Sequence, residues 1–144
     1  MKRKGEPLPL DVQQLLAPFF PDLDLCRVRI FEGIPRYVSI TAATEPIGYT
    51  DGWKIYFAPG YYRLDSAESL ALIAHEIVHC RQYQQFGKWG FRTKYLSFYL
   101  QNRRSGMAEK VAYEQIPFEI EAREIEHNVL SSLLHLQSEF LPIE

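Results

Sequence analysis

Two histidines four residues apart, His75 and His79, are the residues of this sequence best suited to chemistry. On an α-helix, side chains at positions i and i+4 project from nearly the same face, so the two imidazoles can converge on one point. With Glu76 between them they form the H-E-x-x-H pattern, in which the histidines bind zinc. Glu76 projects about 100° around the helix from His75, close to the same ion but outside its direct ligands. That position suits a general base.

The helix that carries this motif is the most apolar one that the sequence predicts. Alanine, leucine, isoleucine and valine fill most positions from Ala67 to Val78. Ionisable groups in such a helix are costly to bury unless they are paired or bound to a metal ion. The alternative is a solvated helix face on which two of the four histidines of the chain fall by chance. The apolar surroundings favour the metal site.

A zinc ion held by two histidines needs a third protein ligand, and a catalytic site keeps its fourth position for water. Five candidates lie on the last predicted helix, residues 117–137: Glu119, Glu121, Glu124, Glu126 and His127. Glu119 and Glu126 are seven residues apart and share one helix face, so spacing alone does not choose between them. For each of these glutamates, a solvent-exposed position is the simpler alternative.

Length and composition indicate one soluble domain spanning residues 1–144. The chain is 47% hydrophobic and 24% charged, as in ordinary globular proteins. Its basic start lacks the apolar run of a secretory signal, and no segment reaches the length of a transmembrane helix. We therefore expect a soluble, cytoplasmic protein that does not bind membranes, although a specialised export system could still carry it. Cys26 and Cys80 are too few for a disulfide framework and are predicted to be small core residues.

The charges are unevenly distributed, although the net charge is only −2. Residues 81–110 are basic, with Glu109 as their only acid, whereas residues 111–144 contain seven glutamates and one basic residue, Arg123. We expect these two segments to attract each other within the fold, and we expect no nucleic-acid binding.

Short alternating segments predict β-strands in the first half of the chain. Cys26 to Phe31 and Tyr37 to Thr41 each alternate apolar and polar residues. Residues 47–57 form a predicted hairpin, with Asp51 and Gly52 as the two central residues of a type I′ turn.

The remaining segments predict helices. The first is Leu10 to Ala17, and the motif helix begins at a capping pattern of Asp65 with Glu68 and ends at Gly87. A third helix, Phe91 to Arg104, carries an aromatic stripe that is typical of a core face: Phe91, Tyr95, Phe98 and Tyr99. A short turn or helix at residues 107–115 and a last helix beginning at Pro117 follow. Strands followed by helices indicate an α+β domain.

Three segments together resemble the minimal zincin-type metallopeptidases of bacteria. They are Ile-Tyr-Phe-Ala-Pro-Gly at residues 55–60, the H-E-x-x-H segment with Gln82, and Tyr113 followed by Ile-Pro-Phe-Glu-Ile-Glu-Ala at residues 116–122. The resemblance covers roughly residues 47–126. Relatives occur as small stand-alone proteins and as domains of toxins or contractile-injection-system proteins. The resemblance implies a small antiparallel or mixed sheet packed against a zincin-like helical half.

The resemblance also implies a set of ligands. In gluzincins the third ligand is the first glutamate of an E-x-x-A segment, which falls on Glu119 with Ala122 behind it. One zinc ion per chain would then be held by His75, His79 and Glu119. In several related families an aspartate or asparagine follows the alanine and supports the site, whereas this chain has Arg123 there.

The resulting hypothesis is a zinc metallopeptidase that hydrolyses peptide bonds with a zinc-activated water and Glu76 as general base. Tyr113, Tyr83 and His127 are candidates for a second donor to the developing oxyanion, each with packing or solvent exposure as its alternative. A peptide or protein substrate would lie extended beside an edge strand. The candidate edges are Trp53 to Phe57 and Ile47 to Thr50.

Two alternatives compete with this hypothesis. In the first, zinc joins the two long helices of a non-catalytic adaptor or module within a larger assembly. In the second, Glu76 with His79 and Glu124 with His127 form the two E-x-x-H pairs of a di-iron carboxylate protein. That site needs two more glutamates from two further helices, and the segment Phe91 to Arg104 contains no acid.

Overall fold

The computed structural model of the protein describes residues 5–41 and 46–140, which form an α+β structure. Its four-stranded mixed sheet has the order β1-β2-β4-β3. The strands are β1 Glu6–Pro7, β2 Arg29–Glu32, β3 Gly48–Asp51 and β4 Lys54–Phe57. β2 pairs with β4 in parallel, and the two outer pairings are antiparallel. Ile55 and Phe57 alternate with exposed or half-buried neighbours and are fully buried against the helices. The predicted fold class is confirmed.

Five α-helices accompany the sheet in the described part of the chain. They are α1 Leu10–Leu16, α2 Arg36–Thr41, α3 Ala67–Arg104, α4 Glu109–Glu114 and α5 Pro117–Phe140. The main core lies between the sheet, α1 and the first half of α3, and α5 closes it with Ala122, Val129 and Leu133. Among the described residues, no helix has the length and apolarity that crossing a membrane requires.

Gly87 divides α3 into two arms. Its φ of 72° and ψ of 166° are not helical, so the helix ends at Phe86 and a second one follows. We call residues 67–86 the N-terminal arm and residues 88–104 the C-terminal arm. A left-handed glycine at this point matches the predicted helix end. The predicted cap, however, is wrong by one residue: Ser66 accepts the backbone N–H of Ser69 at 3.1 Å, whereas Asp65 pairs with Arg63.

The strand predicted at Tyr37 to Thr41 is wrong, because these residues belong to α2. Five alternating residues are too few to distinguish the strand period of two residues from the helical period of 3.6. Pro35 starts a helical turn, in which its carbonyl accepts the N–H of Val38. The strand predicted from Cys26 begins only at Arg29, since Asp24 caps a 3₁₀ turn over Leu25–Arg27. Cys26 is therefore exposed rather than in the core, while Cys80 is buried as predicted.

The hairpin exists, but its turn lies one residue later than predicted. Asp51 pairs with Lys54, so Gly52 and Trp53 are the central residues. Only Gly52 has a positive φ, 64°, which fits a type II′ turn, since type I′ requires positive φ at both positions. β4 is an inner strand, so the proposal that residues 53–57 form an edge is wrong. β3, which contains most of the second candidate segment, is an edge strand, and β1 forms the opposite edge.

Candidate metal site

Three side chains predicted as ligands converge where α3 meets α5. The Nε2 atoms of His75 and His79 each lie 3.2 Å from a carboxylate oxygen of Glu119. One ligand atom from each residue falls within 4.8 Å of the other two. Glu119 is almost fully buried and belongs to the first turn of α5, where the helix dipole favours a negative charge. The two histidines come from the N-terminal arm, one turn apart.

Two features bring Glu119 to the histidines. Ala122 is completely buried, and its small side chain allows α5 to approach the N-terminal arm closely. Gln82 is also completely buried, and its Nε2 donates a hydrogen bond of 3.0 Å to the carbonyl of Phe118. This bond fixes the backbone next to Glu119 against the arm that carries the histidines.

The hydrogen bonds of the two imidazoles set their tautomers. The Nδ1 atom of His75 lies 2.8 Å from Oε1 of Glu126, a carboxylate that only accepts. The Nδ1 atom of His79 lies 2.8 Å from Oε1 of Gln82, whose amide nitrogen is already donating. Each neutral imidazole therefore carries its proton on Nδ1 and directs the lone pair of Nε2 towards Glu119.

This donor set fits a divalent metal ion. Two Nε2 lone pairs and a carboxylate face one another in a buried space. These electron-rich groups repel one another unless a cation lies between them. Two imidazoles and one carboxylate are a ligand set that zinc accepts, and a carboxylate or amide behind each imidazole is the usual support of such ligands. The residues present therefore fit a zinc ion.

Without a metal, protons provide the positive charge. Burial alone would lower the pKa of His75, but hydrogen bonds to Glu119 and Glu126 outweigh it and raise that pKa to about 10. In His79, burial is likewise outweighed by the Glu119 carboxylate, and the pKa is raised. Burial opposes ionisation of Glu119, yet the two imidazoles lower its pKa below the usual range. The Glu119 carboxylate is thus next to a positive charge in both cases, whether a metal ion or protonated histidines supply it.

Two tyrosines lie beside Glu119. The hydroxyl of Tyr95 donates to Oε1 of Glu119 at 2.9 Å, and burial, then Tyr113 and Glu119, raise the pKa of Tyr95, so it remains a donor. Tyr113 packs edge-to-face on Tyr95 with ring centroids 6.1 Å apart. Desolvation of its hydroxyl, followed by the charge of Glu119, raises the pKa of Tyr113. Of the three predicted oxyanion donors, Tyr113 is the one that the structure brings to the site.

Glu76 is held by the edge strand β3. It is only 6% exposed, and Thr50 donates a hydrogen bond of 2.7 Å to its Oε2 atom. The backbone of Gly48 lies so close that a Cβ atom there would be 2.6 Å from Oε1 of Glu76. Glu76 thus stands between the two histidines in the sequence, and its carboxylate packs against the edge of the sheet.

Tyr83, His127 and Arg123 have other contacts. Tyr83 stacks on Phe91 with ring centroids 4.1 Å apart, and the side chain of Arg92 lies beside its hydroxyl. Arg123 donates to the carbonyl of Glu114 and so joins α5 to the end of α4. His127 is exposed on α5.

Glu124 is exposed on α5 beside His127, in the same shallow surface depression. Glu76 and His79, by contrast, are buried. The structure therefore does not bring the two E-x-x-H pairs of the di-iron alternative together.

The sequence did not predict the roles of three residues that hydrogen-bond to the candidate ligands. Glu126 shares a helix face with Glu119 and was a candidate ligand, but it supports His75 instead. Gln82 lies three residues after His79, a spacing at which helical neighbours meet. Tyr95 belongs to the aromatic stripe, and nothing in that pattern distinguishes it from its core neighbours.

Comparison with known families places part of the chain in a described family. The family model described as eCIS core domain, where eCIS stands for extracellular contractile injection system, matches residues 7–87, 81 of the 144 residues. The matched region contains His75, Glu76 and His79 and ends before Glu119. Neither the curated proteins nor the solved structures contain a match to the chain.

Proposed function

Because the chain belongs to the eCIS core domain family, we propose that it is a metal-binding module of an extracellular contractile injection system. The observation that supports the metal is the convergence of two Nε2 atoms and a carboxylate on one point. The ion that best suits these donors is zinc, one per chain.

In this proposal the metal joins the two longest helices. His75 and His79 belong to α3, and Glu119 belongs to α5, so one ion would cross-link elements that are far apart in the chain. Binding to the folded state adds directly to its stability, because the unfolded chain does not hold the three ligands together.

Thermal unfolding tests this role. With free zinc at about 100 times its dissociation constant, linkage predicts about 3 kcal/mol of added stability, or a Tm increase of about 10 °C. The Glu119→Ala variant should show little or none of that increase. Calorimetry on both proteins, each with and without a chelator, measures it. A Tm of the wild type that does not respond to zinc would refute the structural role.

Peptide hydrolysis is the second candidate function, and Glu76 is the observation that favours it. Its buried carboxylate is not one of the three converging ligands, and Thr50 keeps it oriented. A bound zinc ion would lower the pKa of a water molecule and polarise a peptide carbonyl. Glu76 would accept the proton of the attacking water and return it to the leaving amine. In this mechanism the hydroxyl of Tyr113 would donate to the oxyanion, and an extended peptide would bind beside β3.

The Glu76→Gln variant separates the two functions. It removes the base but keeps the size of the side chain, so zinc binding and the zinc-dependent Tm should be unchanged. If the zinc-loaded wild type cleaves an unfolded substrate such as casein and the variant does not, the chain is a hydrolase. If the wild type leaves casein intact while zinc stabilises it, the module without catalysis is the better account.

A further inference from the structure

The C-terminal arm of α3 has two apolar faces, and the described residues of the chain cover only one of them. Its inner face packs Phe91, Tyr95 and Phe98 against Phe118 of α5. On the opposite side, Trp89, Leu96 and Leu100 are 76%, 57% and 42% exposed. We call these three residues the outer stripe. A helix that only had to fold onto the domain would carry polar residues there.

The outer stripe has the geometry of a helix–helix seam. Positions 89, 93, 96 and 100 follow the alternating four- and three-residue spacing of a coiled coil. Thr93 and Ser97 are small, and they leave a shallow depression of about 350 Å³ between the larger side chains. A side chain from a second helix could fill such a space as a knob fills a hole.

Charge restricts what could occupy this seam. Residues 88–104 contain five cations and no acid. In the described part of the chain, Asp51 is the one carboxylate that forms an ion pair with this arm, through Lys88 and Arg92. Arg103 and Arg104 flank the outer stripe on its two sides, about 40° to 60° around the helix from its centre. An occupant with acidic flanks would be attracted to them.

We propose that the outer stripe binds an acidic amphipathic helix of a partner protein. Apolar side chains of that helix would pack between Trp89, Leu96 and Leu100, and its glutamates would face Arg103 and Arg104. Antiparallel or parallel pairing of this arm with the same arm of a second copy would oppose five cations to five cations, which disfavours that pairing. A lipid surface is disfavoured too, because the stripe is one side chain wide and bordered by polar residues.

A designed peptide tests the proposal directly. The probe is a fluorescent 21-residue helix with leucine at positions a and d and glutamate at positions e and g, whose own glutamates prevent it from pairing with itself. We expect micromolar binding to the full chain by anisotropy. A peptide with lysine in place of each glutamate should bind at least about 10-fold more weakly. The Leu96→Gln variant should lower the affinity at least about 10-fold, whereas the same change at Leu134, an exposed leucine on α5, should not.

Three results would overturn the proposal. One is equal binding of the acidic and basic peptides, or of the two leucine variants. The second is self-association in ultracentrifugation that Leu96→Gln abolishes, which would assign the stripe to a second copy. The third is stronger binding to vesicles of 30% phosphatidylglycerol in phosphatidylcholine than to the peptide, lost in Leu96→Gln. Circular dichroism of each variant shows that it is folded.

Discussion

The two helices that form the candidate metal site contribute to it in different ways. α3 supplies both histidines from one five-residue motif, so helix geometry alone brings the imidazoles together. α5 supplies Glu119 and Glu126, which lie 44 and 51 residues after His75. Their positions depend on how α5 packs against the N-terminal arm. Half of the site is therefore a local property of the chain, and the other half is a product of tertiary structure.

The support behind each imidazole follows the same division. His79 is oriented by Gln82, three residues away on its own helix. His75 is oriented by Glu126, across the interface between the helices. Loosening of α5 should therefore disturb His75 more than His79. Variants on each side of the interface can test this difference.

Removal of the third ligand should have the largest effect. Glu119→Ala takes away the carboxylate that, among the described residues, faces both Nε2 atoms. We expect it to weaken zinc binding by more than about 100-fold, which is more than the loss of a supporting group costs. Competition with a chromophoric chelator measures the affinity. Glu124→Ala, an exposed glutamate of the same helix, is the matched control and should bind zinc as the wild type does. Nearly equal affinities of the two variants would remove Glu119 from the site.

Loss of a supporting residue should have an intermediate effect. Glu126→Ala leaves Nδ1 of His75 without its acceptor, and such changes typically weaken metal binding about 10- to 100-fold. Gln82→Ala should fall in the same range and should also lower the unfolding temperature without zinc, because the bond to Phe118 is lost. Isothermal titration and calorimetry give both quantities. If Glu126→Ala bound zinc like the wild type, the proposed support of His75 would be incorrect.

The smallest effect is expected from Tyr95→Phe, which removes one neutral donor to Glu119 and keeps the aromatic packing. A hydrogen bond to a charged group contributes about 1.5–3 kcal/mol when it is fully used. The metal would take over part of that role, so we expect a loss of zinc affinity of about 3- to 10-fold. Tyr99→Phe, on the same aromatic face, is the control. Equal affinities of both variants and the wild type would show that Tyr95 only packs.

The sequence predicted the helices other than α2 and the α3 half of the candidate site, because both depend on local periodicity. Gly87 predicted the end of the motif helix and Pro117 the start of the last helix, and the structure shows both at those residues. The prediction was wrong at residues 37–41, because their pattern fits both the helical and the strand period. It was also wrong by one residue at the hairpin, because the turn could lie at either of two adjacent positions. In the site, helical spacing could not rank Glu119 against Glu126. The reason is now visible: both face His75, one at Nε2 and the other at Nδ1.

X-ray absorption at the zinc edge, on the purified zinc-loaded protein, tests most directly whether these three side chains bind the ion. We predict two imidazole nitrogens at about 2.0–2.1 Å from the zinc and carboxylate or water oxygens at about 2.0–2.2 Å, with the oxygen signal reduced in Glu119→Ala. A sulfur neighbour at about 2.3 Å, or a shell of oxygens without imidazole, would contradict it.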